Sequence, residues 1–176
     1  NNRVVYKVFE DNKNNIWLTT DSGAFFYNIT TIKHITSKDG FVDDKTISVV
    51  QDKQNNFWFA TKQGIFRYDS KTFEKLDKNK GLCSNNIYSL IFDDRNNLFI
   101  GTPKALDKLD VTSYNTNKKI VIKHYENIDG FTGQECNLNA TFKAKNGRLW
   151  FGTIKGVTIY NPKYNKLNTI EPTTLI

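Results

Sequence analysis

His34, His124, Cys83, Cys136 and the pairs Asp43-Asp44 and Asp93-Asp94 could, by residue type, do acid–base, redox or metal chemistry in this 176-residue chain. A general base needs an orienting partner and a pocket, and the sequence shows neither beside His34 or His124. Each histidine stands two residues after an isoleucine, Ile32 or Ile122, at the same point of its repeat. Both are expected exposed on equivalent strands, too far apart to share a metal or a proton relay. The cysteines form no CxxC and occupy different repeat positions, so free thiols are expected rather than a disulfide, which needs Cα atoms within about 7 Å. Asp93-Asp94 belongs to a polar turn, whereas Asp43-Asp44 lies in a connection where it could touch a ligand. No GxSxG, glycine-rich phosphate loop or HExxH occurs. The expectation is therefore no catalytic residue, no metal site and no cofactor.

The elements that carry these residues repeat. Asn-Asn-Ile-Trp-Leu-Thr-Thr (14–20) returns as Asn-Asn-Phe-Trp-Phe-Ala-Thr (55–61), Asn-Asn-Leu-Phe-Ile-Gly-Thr (96–102) and Gly-Arg-Leu-Trp-Phe-Gly-Thr (147–153). Trp17, Trp58, Phe99 and Trp150 are separated by 41, 41 and 51 residues, and Gly23, Gly64, Ala105 and Gly156 keep the same step. Most of the extra length is an eight-residue insertion near 111–121. Within each repeat the apolar runs are short and alternate with period two, which predicts strands. Asn14, Asn55, Asn96 and Gly147 hold one turn position, where residues that tolerate positive φ close a hairpin. Four short antiparallel strands per roughly 40 residues predict an all-β protein of β-propeller blades, at about 4–36, 45–77, 86–126 and 137–168. Trp17, Trp58, Trp150 and Phe99 are expected buried between neighbouring sheets. Thr19, Ala60, Gly101 and Gly152 are the small residues that allow close packing.

Net charge is +7, but only four of the 25 basic residues are Arg, and the lysines are interleaved with acids. Nucleic-acid binding calls for a concentrated patch, so it is not expected. No run of 18 apolar residues offers a membrane span.

Asp-Asp-Arg-Asn-Asn-Leu-Phe-Ile-Gly-Thr (93–102) and Asn-Gly-Arg-Leu-Trp-Phe-Gly-Thr-Ile-Lys-Gly-Val (146–157) resemble the two-component regulator propeller repeat. Gly-Leu-Cys-Ser-Asn-Asn-Ile (81–87) is similar to that family's link between blades. Glu135–Ala140, Gly147–Gly152 and Tyr160-Asn161-Pro162 resemble its last blade, and 169–176 resembles the start of a following immunoglobulin-like domain. The resemblance implies a non-catalytic, periplasmic sensor segment of a bacterial hybrid two-component kinase, with any kinase activity outside this chain. It also implies a carbohydrate-type ligand. Propellers of the family are usually seven-bladed, so four blades imply an open arc whose bare flanks meet the remaining blades or a second copy of the chain. A protein-interaction scaffold is the alternative; a propeller lyase would need a catalytic histidine near the axis, with a metal.

Propellers bind at one end of their axis, through the loops joining blades and those between second and third strands. Here those loops hold Asp21, Ser22, Asp43, Asp44, Lys62, Gln63, Asn85, Asn86, Lys104, Gln134, Glu135 and Lys155. Amides mixed with carboxylates suit a polyhydroxylated ligand. Asp21, Asp43, Asp44, Lys62, Gln63, Asn85, Asn86, Gln134 and Glu135 are the candidate binding residues.

Overall fold

Every repeat becomes one antiparallel sheet because its apolar runs alternate and its turns carry residues that can close them. The computed structural model describes residues 4–41, 45–133 and 135–164. The first sheet holds β1 (Val5–Glu10), β2 (Ile16–Thr20), β3 (Gly23–Tyr27) and β4 (Ile32–Ile35) in that order. The second holds β5 (Thr46–Gln51), β6 (Phe57–Thr61), β7 (Ile65–Tyr68) and β8 (Phe73–Leu76). The third holds β9 (Ser89–Phe92), β10 (Asn97–Gly101), β11 (Leu106–Asp110) and β12 (Ile122–Tyr125). The fourth holds β13 (Cys136–Lys143), β14 (Leu149–Thr153) and β15 (Gly156–Tyr160). The fourth strand expected near Leu167, and the tail 169–176, lie outside the described residues.

The turn chemistry is specific. Asn14, Asn55 and Asn96 have φ of 61°, 65° and 63°, and Gly147 has 80°, as the first hairpin of each blade requires. Asp11 and Asp52 fix that turn: each carboxylate accepts two backbone N–H groups and then the indole Nε1–H of Trp17 or Trp58, at 3.1 and 3.0 Å. The recurring Thr closes the next turn. Thr20, Thr61, Thr102 and Thr153 donate their hydroxyls to the carbonyls of Gly23, Gly64, Ala105 and Gly156 at 2.8–3.0 Å. Gly64 has φ +121°, and a Cβ there would lie 2.3 Å from the Leu76 carbonyl oxygen. It must stay glycine for the start of the third strand to meet the end of the fourth.

Side chains from facing sheets form one apolar layer per joint. Trp17, Phe41, Phe57, Phe59 and Phe66 join blades one and two. Ile47, Trp58, Leu90, Leu98 and Ile100 join two and three, and Phe99, Phe131, Leu149 and Phe151 join three and four. At Gly101 a Cβ would stand 2.3 Å from Ser89 Oγ and 3.0 Å from Cys136 Cβ, so this small position does set how closely blade four approaches.

The expectation that Trp150 is buried is corrected. Trp17, Trp58 and Phe99 are buried, but Trp150 remains 38 % exposed. Each large aromatic packs onto the next blade: Trp17 meets Phe57 at 4.3 Å between ring centroids, and Phe99 meets Tyr160 at 4.6 Å. Among the described residues nothing follows blade four. Phe142 and Ile159, its partners in register, are exposed beside it. The opposite end of the array is equally bare: Val8, Tyr27 and Ile32 are exposed on blade one. No apolar cluster of described residues joins blade four to blade one, so the described part of the array is open. One strand crosses it: Asn139, at φ 53°, donates its amide to the carbonyls of Tyr6 and Ile47 at 3.0 and 2.7 Å.

The insertion folds as a helix, α1 (Val111–Asn117), capped by Asp110, which accepts the Ser113 N–H. It lies in the joint between blades two and three. Tyr114 packs edge-on against Trp58 at 5.6 Å, and its hydroxyl reaches Glu74 at 3.3 Å. Asn115 donates to Asp52 and Gln54 at 3.0 Å, and Lys118 closes an ion pair with Glu74 at 2.9 Å.

Candidate functional site

The first residues of β5 and the connections that enter β9 and β13 meet at one end of the arc, beside the β6–β7 turn. They enclose a cleft of about 370 Å³ lined by Lys45, Ile47, Lys62, Asn86, Tyr88, Glu135, Cys136, Asn137 and Leu138. Lys62, Asn86 and Glu135 are thus brought together by three different blades. Asp21, Gln63 and Asn85 do not line it. Asp21 is exposed in the β2–β3 turn, Gln63 sits beside Lys62, its backbone N–H bonded to Thr61 Oγ1 at 3.0 Å, and Asn85 accepts the Lys78 N–H at 2.8 Å across its own connection. Asp43, Asp44 and Gln134 lie outside the described residues.

Asn86 is the best-placed polar group of the cleft. Its Nδ2 donates to the Tyr88 hydroxyl at 3.4 Å, while its Oδ1 is buried without a hydrogen-bond partner. A buried, unpaired carbonyl costs about 1–3 kcal/mol. Tyr88 and Lys45 were not among the sequence candidates. Tyr88 falls in an apolar run that reads as strand, yet β9 begins one residue later, and its backbone bridges Gly101 and Asn139 at 2.8 and 3.0 Å.

A second cleft, about 260 Å³, opens at the other end of the strands between blades one and two. It is floored by Trp17, Phe26, Phe57 and Tyr68 and rimmed by Asp11, Lys13, Lys33 and Asn55. The matching space between blades two and three is where Tyr114 and Asn115 sit.

The histidines differ from expectation in one respect. His34 stacks on Phe25 at 4.1 Å and bonds the Ser22 carbonyl at 2.6 Å. His124, instead of lacking a partner, places Nδ1 2.6 Å from Oδ1 of the buried Asp107. Cys83 and Cys136 are free thiols, as expected. Burial pushes the Cys136 thiol up to about 11, which makes it a packing residue.

The two component regulator propeller family matches residues 81–104. No curated protein matches the chain. Among solved structures, the extracellular domain of the hybrid two component system BT3049 from B. thetaiotaomicron is similar at 20 % identity and TM-score 0.75, over 90 % of this chain and 22 % of that one. The extracellular domain of the one component system BT4673 from B. thetaiotaomicron is similar at 18 % identity and TM-score 0.74, over 93 % and 24 %. Catalytically inactive H270A virginiamycin B lyase from Staphylococcus aureus, with quinupristin, follows at 12 % identity and TM-score 0.62, over 95 % and 57 %. The chain therefore spans about a quarter or less of the two bacterial extracellular domains and over half of the lyase. It carries the two component regulator propeller repeat at 81–104, in a blade fold shared with extracellular domains of two-component systems.

Proposed function

We propose that this chain is a non-catalytic, ligand-binding propeller segment of a periplasmic two-component sensor, and that its signal is carbohydrate-like. The observation that carries the ligand class is the axial cleft of Asn86, Tyr88, Lys62 and Glu135. A sugar hydroxyl both donates and accepts, and this set offers an ammonium, a carboxylate, a phenol and an amide whose oxygen lacks a donor. The sensor context rests on the family repeat and on the fold shared with the extracellular domains; signal output then lies outside this chain.

A thermal-shift screen against oligosaccharides tests this reading. A ligand at a hundred times its Kd should stabilise the chain by about 2.7 kcal/mol. Asn86→Ala should abolish that shift while leaving the unliganded melting temperature within a few degrees. A panel without any stabilising oligosaccharide, or a shift that survives Asn86→Ala, would refute the carbohydrate assignment at this cleft.

The bare flanks have their own consequence. In the whole protein they are covered by further blades, which fits a chain spanning 22–24 % of the matched extracellular domains. The isolated 176-residue chain should instead self-associate, most simply as a two-fold dimer that buries Phe142 and Trp150 or Val8 and Ile32. Sedimentation equilibrium measures this, and a soluble monomer at every concentration would overturn it.

A further inference from the structure

The third blade departs from its neighbours at one register position. Strand pairing sets Phe25 opposite His34 in blade one, Phe66 opposite Lys75 in blade two and Asp107 opposite His124 in blade three. An aromatic ring under the outer strand has become a carboxylate, and it is completely buried. The connection 81–84 then brings a third group. Cys83 follows the buried Leu82 and donates its backbone N–H to Asp107 Oδ2 at 2.8 Å. One ligand atom each from Cys83, Asp107 and His124 lies within 4.8 Å of the other two. Three segments separated by some 20 residues each thus converge on one point.

We propose that Cys83, Asp107 and His124 bind a divalent cation of Zn²⁺ type. Thiolate, imidazole and carboxylate together favour zinc or cobalt over magnesium or calcium, which take all-oxygen shells. Thiolate and carboxylate balance the 2+ charge, and imidazole binds neutral. Three protein ligands leave a fourth position for water, on the side where the imidazole is half-exposed. Tetrahedral zinc sets its ligand atoms about 3.3–3.7 Å apart. The His124 ring must therefore move off Asp107 by about 1 Å, and its exposed edge leaves room for that.

The thiol is the revealing member. The Cys83 Sγ lies 3.2 Å from Thr102 Oγ1, whose own proton goes to the Ala105 carbonyl, so the thiol is the donor there. That proton is what a metal ion must displace. A dication takes its place, the proton leaves to solvent, and both anions acquire a shared counter-ion.

Titration of the reduced chain with Co²⁺ tests the site, because a thiolate ligand adds a charge-transfer band in the near ultraviolet to the visible bands of tetrahedral cobalt. The expected result is one Co²⁺ per chain, displaced by Zn²⁺. Cys83→Ser should remove the charge-transfer band, and His124→Gln should weaken binding at least tenfold with the far-ultraviolet circular dichroism unchanged. Cys136→Ser, which removes the other thiol, should leave the charge-transfer band in place. A titration without the band, a band that survives Cys83→Ser, or an affinity indifferent to His124→Gln would each overturn the proposal.

Discussion

Trp58→Ala is expected to destabilise the chain by about 3–5 kcal/mol, the range for truncating a large buried aromatic. Trp58 is fully buried, sits in the joint between blades two and three, and loses the edge-on contact with Tyr114 together with the bond from Nε1 to Asp52. The same substitution at Trp150 should cost less, about 2 kcal/mol, because the residue is already 38 % exposed and no described residue of a following blade packs over it. Urea denaturation of the two variants at concentrations low enough to suppress association measures both. Equal losses would mean that the tryptophans are not defined by the blade that follows them.

Asp52→Ala should be nearly as damaging, at about 3 kcal/mol or more, although a single carboxylate in a hairpin turn is ordinarily replaceable. Asp52 accepts from the Gln54 and Asn56 backbones, the Asn56 and Asn115 amides and the Trp58 indole. Its removal strands several donors in a buried place, each worth about 1–3 kcal/mol when unpaired. Asp52→Asn retains the acceptor and should recover part of the loss in the same denaturation experiment. If Asp52→Ala melts with the parent, the carboxylate is not the hub of this turn.

The blades were legible because their markers recur in step and because Asn at the hairpin and Gly64 at the next turn are demanded by backbone sterics alone. What escaped was whatever depends on a neighbouring blade. Trp150 reads like Trp17 and Trp58 within its own repeat, but its burial would come from a following sheet. A signal was present: Asp11 and Asp52 stand six residues before their tryptophans, whereas Ala144 stands six before Trp150. The insertion near 111–121 was visible as length, but Val-Thr-Ser-Tyr-Asn-Thr-Asn carries no helical stripe, and its helix is held by Asp110 at one end and Tyr114 in the joint. At the axial cleft, Lys62, Asn86 and Glu135 could be placed from loop position; Tyr88 could not, because strand and loop differ there by one residue. The pairing of Asp107 with His124 required the register of β11 on β12, which depends on how α1 bridges them.

That helix also makes the arc mechanically uneven. A row of blades behaves as a chain of units coupled to nearest neighbours, with separate strengths at each joint. The joint spanned by α1 adds Tyr114, Asn115 and Lys118 to its apolar layer, bonded to Asp52, Gln54 and Glu74; the joint between blades one and two has an open cleft at the same level. Fluctuations that open the protein should therefore start at the outer blades, and hydrogen exchange should find the amides of blades two and three the last to exchange with solvent. Blade one, whose joint lacks that staple, should exchange before them.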